Sequence, residues 1–514
     1  MRLRETYYAA ASSYLQTGSL AVVMLLQMQL ALHALTKEQF GLWSFTQQSL
    51  GYLLLMDFGV AGSVSRLMTD PLHRGQEKDW NGWFNLIFLI LVGQGVAVLV
   101  AGWWLVDPII AWFKIPSALH AEARQLWLLM LVLNAVMLPL RVFLGILAAQ
   151  NRFYLATLSS MAGTWAGLGV FYYALHRGHG TIAYGYASIL SMAVSGLAPA
   201  LAVWRGRQRF WFSLRNIPWE HTRELFGFSS AIFIIGIAGQ IVFMSQSLII
   251  TRFCGLAAVA AFTVCSRLPM MVMQLIWRPF DAFAPRWQIF WCQEQTEQLR
   301  KEVREGLRLT IGLSLLVVTC CLAGNRWFVH LVGGADLYAG RWFDLLLGLF
   351  VLTQVWNHCL ACLFFLGKEM RLFALLVGVD AALTLAVGVL AARWFGMMGY
   401  MASMGLWFVV SVIGWYLTWR GPGILKMRRS ELYGPSLRFW APAAILLGGG
   451  AAVLVALGRA GTGLTLGCEA GLLLAALGLF VWLYRRDLGG YTERLKNAWQ
   501  SRRAVVPPQT GAGT

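Results

Sequence analysis

Apolar runs of about 20 residues recur along this chain, separated by short clusters of charged and turn-forming residues. That is the length a helix needs to cross a bilayer, and too long for most strands or buried core helices. The pattern predicts about 14 helical spans. Six fall at roughly 9–34, 43–68, 82–106, 125–149, 154–175 and 181–204. Six more fall at roughly 226–253, 257–283, 307–331, 342–365, 371–392 and 397–419, and two follow near 440–457 and 463–484. Residues 485–514, ending in PPQTGAGT, are expected to be a disordered tail.

Composition agrees. The 514 residues are 58% hydrophobic and 12% charged, with a mean hydropathy of +0.62; soluble proteins carry about 25% charge. The expected fold is an all-α polytopic membrane protein. MRLRETYY leads straight into a span too long for a signal-peptide core, so no cleavable leader is expected.

The net charge of +18 fits a membrane protein rather than a nucleic-acid partner, because Lys and Arg gather on the cytoplasmic side. With both termini inside, the cytoplasmic segments are 205–225, 284–306, 420–438, the tail and shorter turns. Roughly 29 of the 41 Lys and Arg then lie inside and about nine outside. Arg141, Arg267 and Arg278 remain within spans.

The eight cysteines fall almost wholly in or beside apolar segments, and HCLAC at 358–362 reads as small buried thiols rather than a metal site. No loop is long enough to fold as a domain. There is no GxxxxGK[ST] phosphate loop and no His/Glu set at metal-ligand spacing. No cofactor or metal is expected, and an enzyme would need all its chemistry inside the spans.

An offset of 219 residues reveals an internal repeat. It sets RET at 4–6 on REL at 223–225, EQFGLWSF at 38–45 on AAVAAFTV at 257–264, Gln27 on Gln246, and Gln48 on Arg267. Two six-helix lobes of equal orientation follow, related by a pseudo-two-fold axis along the membrane normal. The expected division is a first lobe over 1–204, a linker over 205–225, a second lobe over 226–419, two extra spans within 420–484, and the tail. Transporters built from such repeats hold their substrate between the halves.

Charge inside a span is costly and usually faces a bundle interior or a wet cavity. Arg267, Gln274, Arg278 and Asp281 fall within about 60° of one another at 100° per residue, one stripe about 20 Å long. Span 2 carries Gln48, Tyr52, Gly59, Gly62 and Arg66 as the repeat-equivalent stripe, and spans 1 and 7 add Gln16, Ser19, Gln27, Gln240 and Ser247. Arg66 and Arg278 also have a plainer role open to them, reaching back to the headgroups; Arg267 is too deep for that.

Asp57 lies opposite that stripe, at a depth matching Arg141 in span 4, so these two are expected to pair. Asp380 and His358 hold similar depths in the second lobe. A static pair and a proton or cation relay are both open for such residues. Glu469 in span 14 has no partner that the sequence identifies.

LTKEQFGLWSFTQQSLGYLLLMDFGVAGSVSR at 35–66 and LGILAAQNRF at 144–153 resemble the Wzx-type polysaccharide flippases of the multidrug/oligosaccharidyl-lipid/polysaccharide exporter superfamily. The layout of two six-helix lobes plus two helices extends the resemblance over the chain. It implies a V-shaped bundle in a bacterial inner membrane, alternating between inward- and outward-open forms. It also implies a cationic central cavity for an undecaprenyl-diphosphate-linked oligosaccharide used in O-antigen, capsule or exopolysaccharide synthesis. Arg267, Arg278 and Arg66 suit the diphosphate, since Arg binds phosphate oxygens bidentately; Gln48, Gln274, Gln27 and Gln246 complete the candidate lining. Expected partners are that substrate, membrane lipids and polysaccharide polymerase or assembly proteins, with the chain itself a monomer. The alternatives are a lipid II flippase, a drug/cation antiporter of the same superfamily, a polysaccharide polymerase or ligase, and an envelope scaffold. The polymerase class usually carries a large outer loop, absent here, and a cavity bearing Arg disfavours cationic substrates.

Overall fold

The structure, a computed structural model, describes residues 3–54, 76–150, 152–206, 210–213, 222–364, 370–407, 411–434 and 467–482, with a few isolated residues between these stretches. The described residues contain helices and turns and no strand. In chain order the helices are α1 (Leu3–Ala34), α2 (Lys37–Leu54), α3 (Glu77–Trp112), α4 (His120–Ala149), α5 (Phe153–His176) and α6 (Ile182–Trp204). Then come α7 (Thr222–Cys254), α8 (Leu256–Cys292), α9 (Thr296–Gly333), α10 (Arg341–Phe364), α11 (Met370–Gly405) and α12 (Val412–Ile424), with α13 at Gly467–Trp482. Among the described residues, nine helices are long and apolar enough to cross a membrane. With no water in hydrocarbon to serve backbone groups, continuous helix is the form such segments must take.

The repeat is visible in the helix boundaries. The 219-residue offset carries Lys37 and Glu77 onto Leu256 and Thr296, the first residues of α8 and α9. Indoles favour the membrane–water interface, and several are exposed near helix ends here. Trp103, Trp104 and Trp112 are exposed in the last third of α3, Trp342 at the start of α10, and Trp204 at the end of α6.

The twelfth span differs from its expectation as one helix over 397–419. Gly396, at φ 64°, turns the chain so that the eleventh and twelfth spans meet within α11. Only glycine adopts that left-handed conformation freely. The twelfth span then breaks before α12, where Ser411 caps the new helix by accepting from the Gly414 N–H at 3.0 Å.

Candidate functional site

The two lobes meet where α2 lies against α7 and α8. A Cβ on Gly41 would stand 2.1 Å from the Leu256 carbonyl oxygen, so the two backbones touch there. Phe40 and Trp43, either side of this contact, are fully buried in one core with Ile249, Ile250, Val259 and Ala260 of the second lobe. FGLW of the first lobe is thus a wedge packed into the second. At the same end Lys37 reaches Asp336 at 3.3 Å, joining the starts of α2 and α10 across the lobes.

Further along these helices the contact turns polar. Arg267, on α8, lies within electrostatic reach of Tyr184 on α6 of the opposite lobe. Tyr184 shares hydrogen bonds with Gln47 and Ser188, and its ring meets Trp43 edge-on at 6.2 Å. The Arg267 Nε and Nη2 atoms are buried, and no described residue hydrogen-bonds to them. The same is true of Gln48 Oε1 and Ser44 Oγ on α2, Gln240 Oε1 and Ser247 Oγ on α7, and Thr263 Oγ1 on α8. An orphaned buried polar group costs about 1–3 kcal/mol, and a charged one more. Seven such atoms on three facing helices make this the candidate site.

The other expected residues are distributed as follows. Gln246 is buried and donates to the Val242 carbonyl of its own helix at 3.1 Å. Gln27 is half-buried on α1, while Gln274 is exposed, one polar stripe thus running from a half-buried Arg267 to an open Gln274. Arg141 lines a pocket of about 440 Å³ inside the first lobe with Gln16, Thr157, Ser160 and Ser195. Asp57 and Arg66, and the side chains of Arg278 and Asp281, lie outside the described residues. His358 stacks on Trp277 with ring centroids 4.7 Å apart. Asp380 is buried, and accepts from the Trp407 indole N–H at 3.1 Å and the Ile413 N–H at 3.3 Å. Both its oxygens serve the break in the twelfth span.

Two features escaped the sequence reading. Asp344 is fully buried near the start of α10, accepting from Asn325 Nδ2 at 2.6 Å and the Tyr338 hydroxyl at 2.7 Å. Burial first, and then the Asp344 carboxylate, push the Tyr338 hydroxyl above its ordinary pKa, so it stays a donor. Asp344 stands three residues into its span, where a charge is ordinarily solvated, and its burial depends on the loop that covers it. Glu469, without a partner in the sequence reading, accepts from Arg341 Nη2 at 2.7 Å and from the Trp327 indole N–H. This pins α13 to the second lobe. Removing one member of a buried pair strands the other at about 3–5 kcal/mol. Glu469→Gln is therefore expected to lower the melting temperature of the detergent-solubilised protein, and pairing it with Arg341→Met is expected to recover part of the loss.

The fold has solved relatives at low sequence identity. An inward-facing multidrug resistance MATE family transporter of the MOP superfamily matches with TM-score 0.68 and 15% identity, covering 79% of this chain and 96% of its own. The lipid II flippase MurJ, in an inward closed conformation, matches with TM-score 0.65 and 12% identity, covering 94% and 99%. A MOP superfamily transporter from Pyrococcus furiosus, described as having a binding pocket of reverse polarity, matches with TM-score 0.55 and 14% identity, covering 80% and 96%. No curated protein matches by sequence. The family model for polysaccharide biosynthesis proteins matches residues 9–287, more than half of the chain. The chain is a multi-pass membrane protein with the MOP transporter fold, and it belongs to the polysaccharide biosynthesis protein family.

Proposed function

We propose that this protein flips an undecaprenyl-diphosphate-linked oligosaccharide across a bacterial inner membrane by alternating access. Both termini are cytoplasmic in this reading, and the Gly41 contact closes the outer end. The observation that carries the reading is Arg267: a half-buried guanidinium between the lobes with two buried donor atoms that no described residue satisfies. A diphosphate supplies the matching acceptors. Arg278 and Arg66 would extend the cationic path toward the cytoplasmic face, and Gln48, Gln27 and Gln274 would offer donors and acceptors to sugar hydroxyls. Family membership supports polysaccharide synthesis as the setting, and the superfamily fold supports transport rather than catalysis.

The test is reconstitution in proteoliposomes with a fluorescent undecaprenyl-diphosphate glycan, beside a cationic dye. Protein-dependent loss of the glycan from the outer leaflet, with no dye movement, is the expected result. Dye transport without glycan movement would instead make the chain a cation antiporter.

Asp380 and His358 are the proposed coupling groups, with Asp57, Arg141 and Asp281 as the remaining charges within the expected spans. Asp380 holds a helix break, and broken helices in transporters commonly bear ion sites. A proton or ion that prefers one conformation shifts the lobe equilibrium, which is all that coupling requires. With membrane potential clamped, transport is expected to respond to an imposed pH or sodium gradient, and Asp380→Asn is expected to abolish that response while leaving slow exchange. Wild-type transport that ignores both gradients and follows voltage alone would reduce Asp380 to a helix cap.

A further inference from the structure

The turn between α9 and α10 closes over the buried Asp344 carboxylate. Gly334, at φ 85°, redirects the chain after α9, and Ala335–Leu337 forms one short helical turn. Three hydrogen bonds hold this segment from beneath. The Tyr338 hydroxyl donates to Asp344 Oδ2 at 2.7 Å. The Cys265 thiol donates to the Leu337 carbonyl at 3.2 Å, and the Ala339 N–H donates to Cys265 Sγ at 3.4 Å. The same turn carries Asp336, which meets Lys37 of the first lobe at 3.3 Å. The contact between the lobes at this end thus stands two residues from a side chain that Asp344 holds.

The charge around Asp344 does not balance. Arg341 on the same helix pairs with Glu469 of α13 at 2.7 Å, and both lie within electrostatic reach of Asp344. The other groups facing Asp344 are uncharged side chains: Asn325 and Cys321 of α9, Cys265 of α8, and Tyr338. His330 of α9 lies beyond them, beside Tyr338 with ring centroids 6.0 Å apart. Two carboxylates against one guanidinium leave one negative charge in excess, and both carboxylates are buried. Net charge away from water is costly, and one proton removes it.

A place for that proton is present. Asn325 is fully buried; its Nδ2 donates to Asp344 Oδ1 at 2.6 Å and to the Cys265 carbonyl at 2.9 Å. Its Oδ1 is buried with no hydrogen-bond partner among the described residues. An ionised carboxylate only accepts, so it leaves that oxygen unserved. A protonated carboxyl has an O–H to return to it, as a carboxylic acid does to a carboxamide, and still accepts from Asn325 and Tyr338.

We propose that Asp344 is a proton-binding site that latches the turn at 334–340, holding the Lys37–Asp336 end shut when protonated and loosening it when ionised. The proton comes from solvent and forms one O–H bond on the carboxyl; no other covalent bond changes. With the proton in place the buried cluster is neutral and Asn325 Oδ1 is satisfied. Without it, the excess charge is relieved by admitting water, which means lifting Tyr338 and the turn that carries Asp336. A proton that binds the shut turn better shifts the equilibrium toward it. The latch is separate from Asp380 at the break in the twelfth span and from the polar site around Arg267, and it does not depend on what is carried.

The test is hydrogen–deuterium exchange of the full-length protein in detergent, read by mass spectrometry on peptides covering 334–340 across a pH series. Rates are corrected for the intrinsic pH dependence of amide exchange. The wild-type turn is expected to lose protection as pH rises, by up to about tenfold per pH unit, the most that one proton supplies. Asp344→Asn keeps the shape but cannot titrate, and its protection is expected to be flat with pH. Tyr338→Phe cuts the turn from the carboxyl, and is expected to exchange fast at every pH; it carries the test if Asp344→Asn does not fold. His330 is unchanged in both variants, so a slope that it caused would survive in them. Corrected protection that is flat in the wild-type protein, or a wild-type slope persisting in either variant, would overturn the latch.

Discussion

Arg267→Ala is expected to leave a folded, inserted protein that no longer moves its lipid-linked glycan. The argument rests on an asymmetry between stability and transport. In this structure Arg267 is half-buried, with its Nε and Nη2 buried and unpartnered, so removing it takes away a largely desolvated charge rather than a set of bonds. Its loss should therefore be neutral or favourable for stability, as replacement of buried charge by apolar groups often is. Transport should respond in the opposite sense. Two charge-assisted hydrogen bonds to a diphosphate are together about 3–6 kcal/mol, a factor of about 10²–10⁴ in rate if they are made in the occluded state. The measurement is glycan flipping in proteoliposomes beside a thermal melt of the same preparation. Arg267→Lys should fall between, because a point charge loses the bidentate geometry. Flipping at the wild-type rate in Arg267→Ala/Arg278→Ala, with protein correctly inserted, would dismiss the diphosphate role.

How much of this was legible in the sequence depends on what each feature needs. Span positions follow from runs of apolar residues, a property of the local chain, and the start residues of α8 and α9 follow from the 219-residue offset. Arg267 was legible because a charge deep in hydrocarbon is conspicuous whatever surrounds it. Tyr184 was not. It is an ordinary aromatic residue near the start of a span, and it becomes a neighbour of Arg267 only when two lobes pack together. Glu469 shows the same limit from the other side. The charge was visible, but its partner Arg341 lies 128 residues away, at the mouth of another helix and just before the expected tenth span. The break in the twelfth span was hidden because WFVVSVIGW is apolar apart from Ser411, and hydropathy cannot tell a continuous helix from an interrupted one. Ser411 and the distant Asp380 supply the caps that make the interruption affordable.

Gly41→Leu is expected to hold the lobes apart at the end where they now touch, and so to stop transport without unfolding either lobe. Gly41 faces the Leu256 carbonyl, with Leu256 Cβ also within 2.9 Å of where its own Cβ would be. A flexible side chain could swing away from such a clash, but a backbone oxygen at the turn between α7 and α8 cannot. Each lobe has its own packing, so the contact between them is the softest route of relief. Overpacking of this kind costs about 1–3 kcal/mol, which lowers the closed population about 5- to 150-fold. A transporter that alternates must visit both forms, so the cycle should stall with the Gly41 end open. Lys37 and Asp336 offer a direct readout, since their charged atoms are 3.3 Å apart in this structure and separation of the lobes at this end would part them. A carbodiimide should join them as an amide in the wild-type protein, detectable as a cross-linked peptide by mass spectrometry. In Gly41→Leu the cross-link should fall with the closed population, and Gly41→Ala should lie between the two. Wild-type cross-linking in Gly41→Leu would mean that the helices slide rather than separate, and that the FGLW wedge does not gate the lobes.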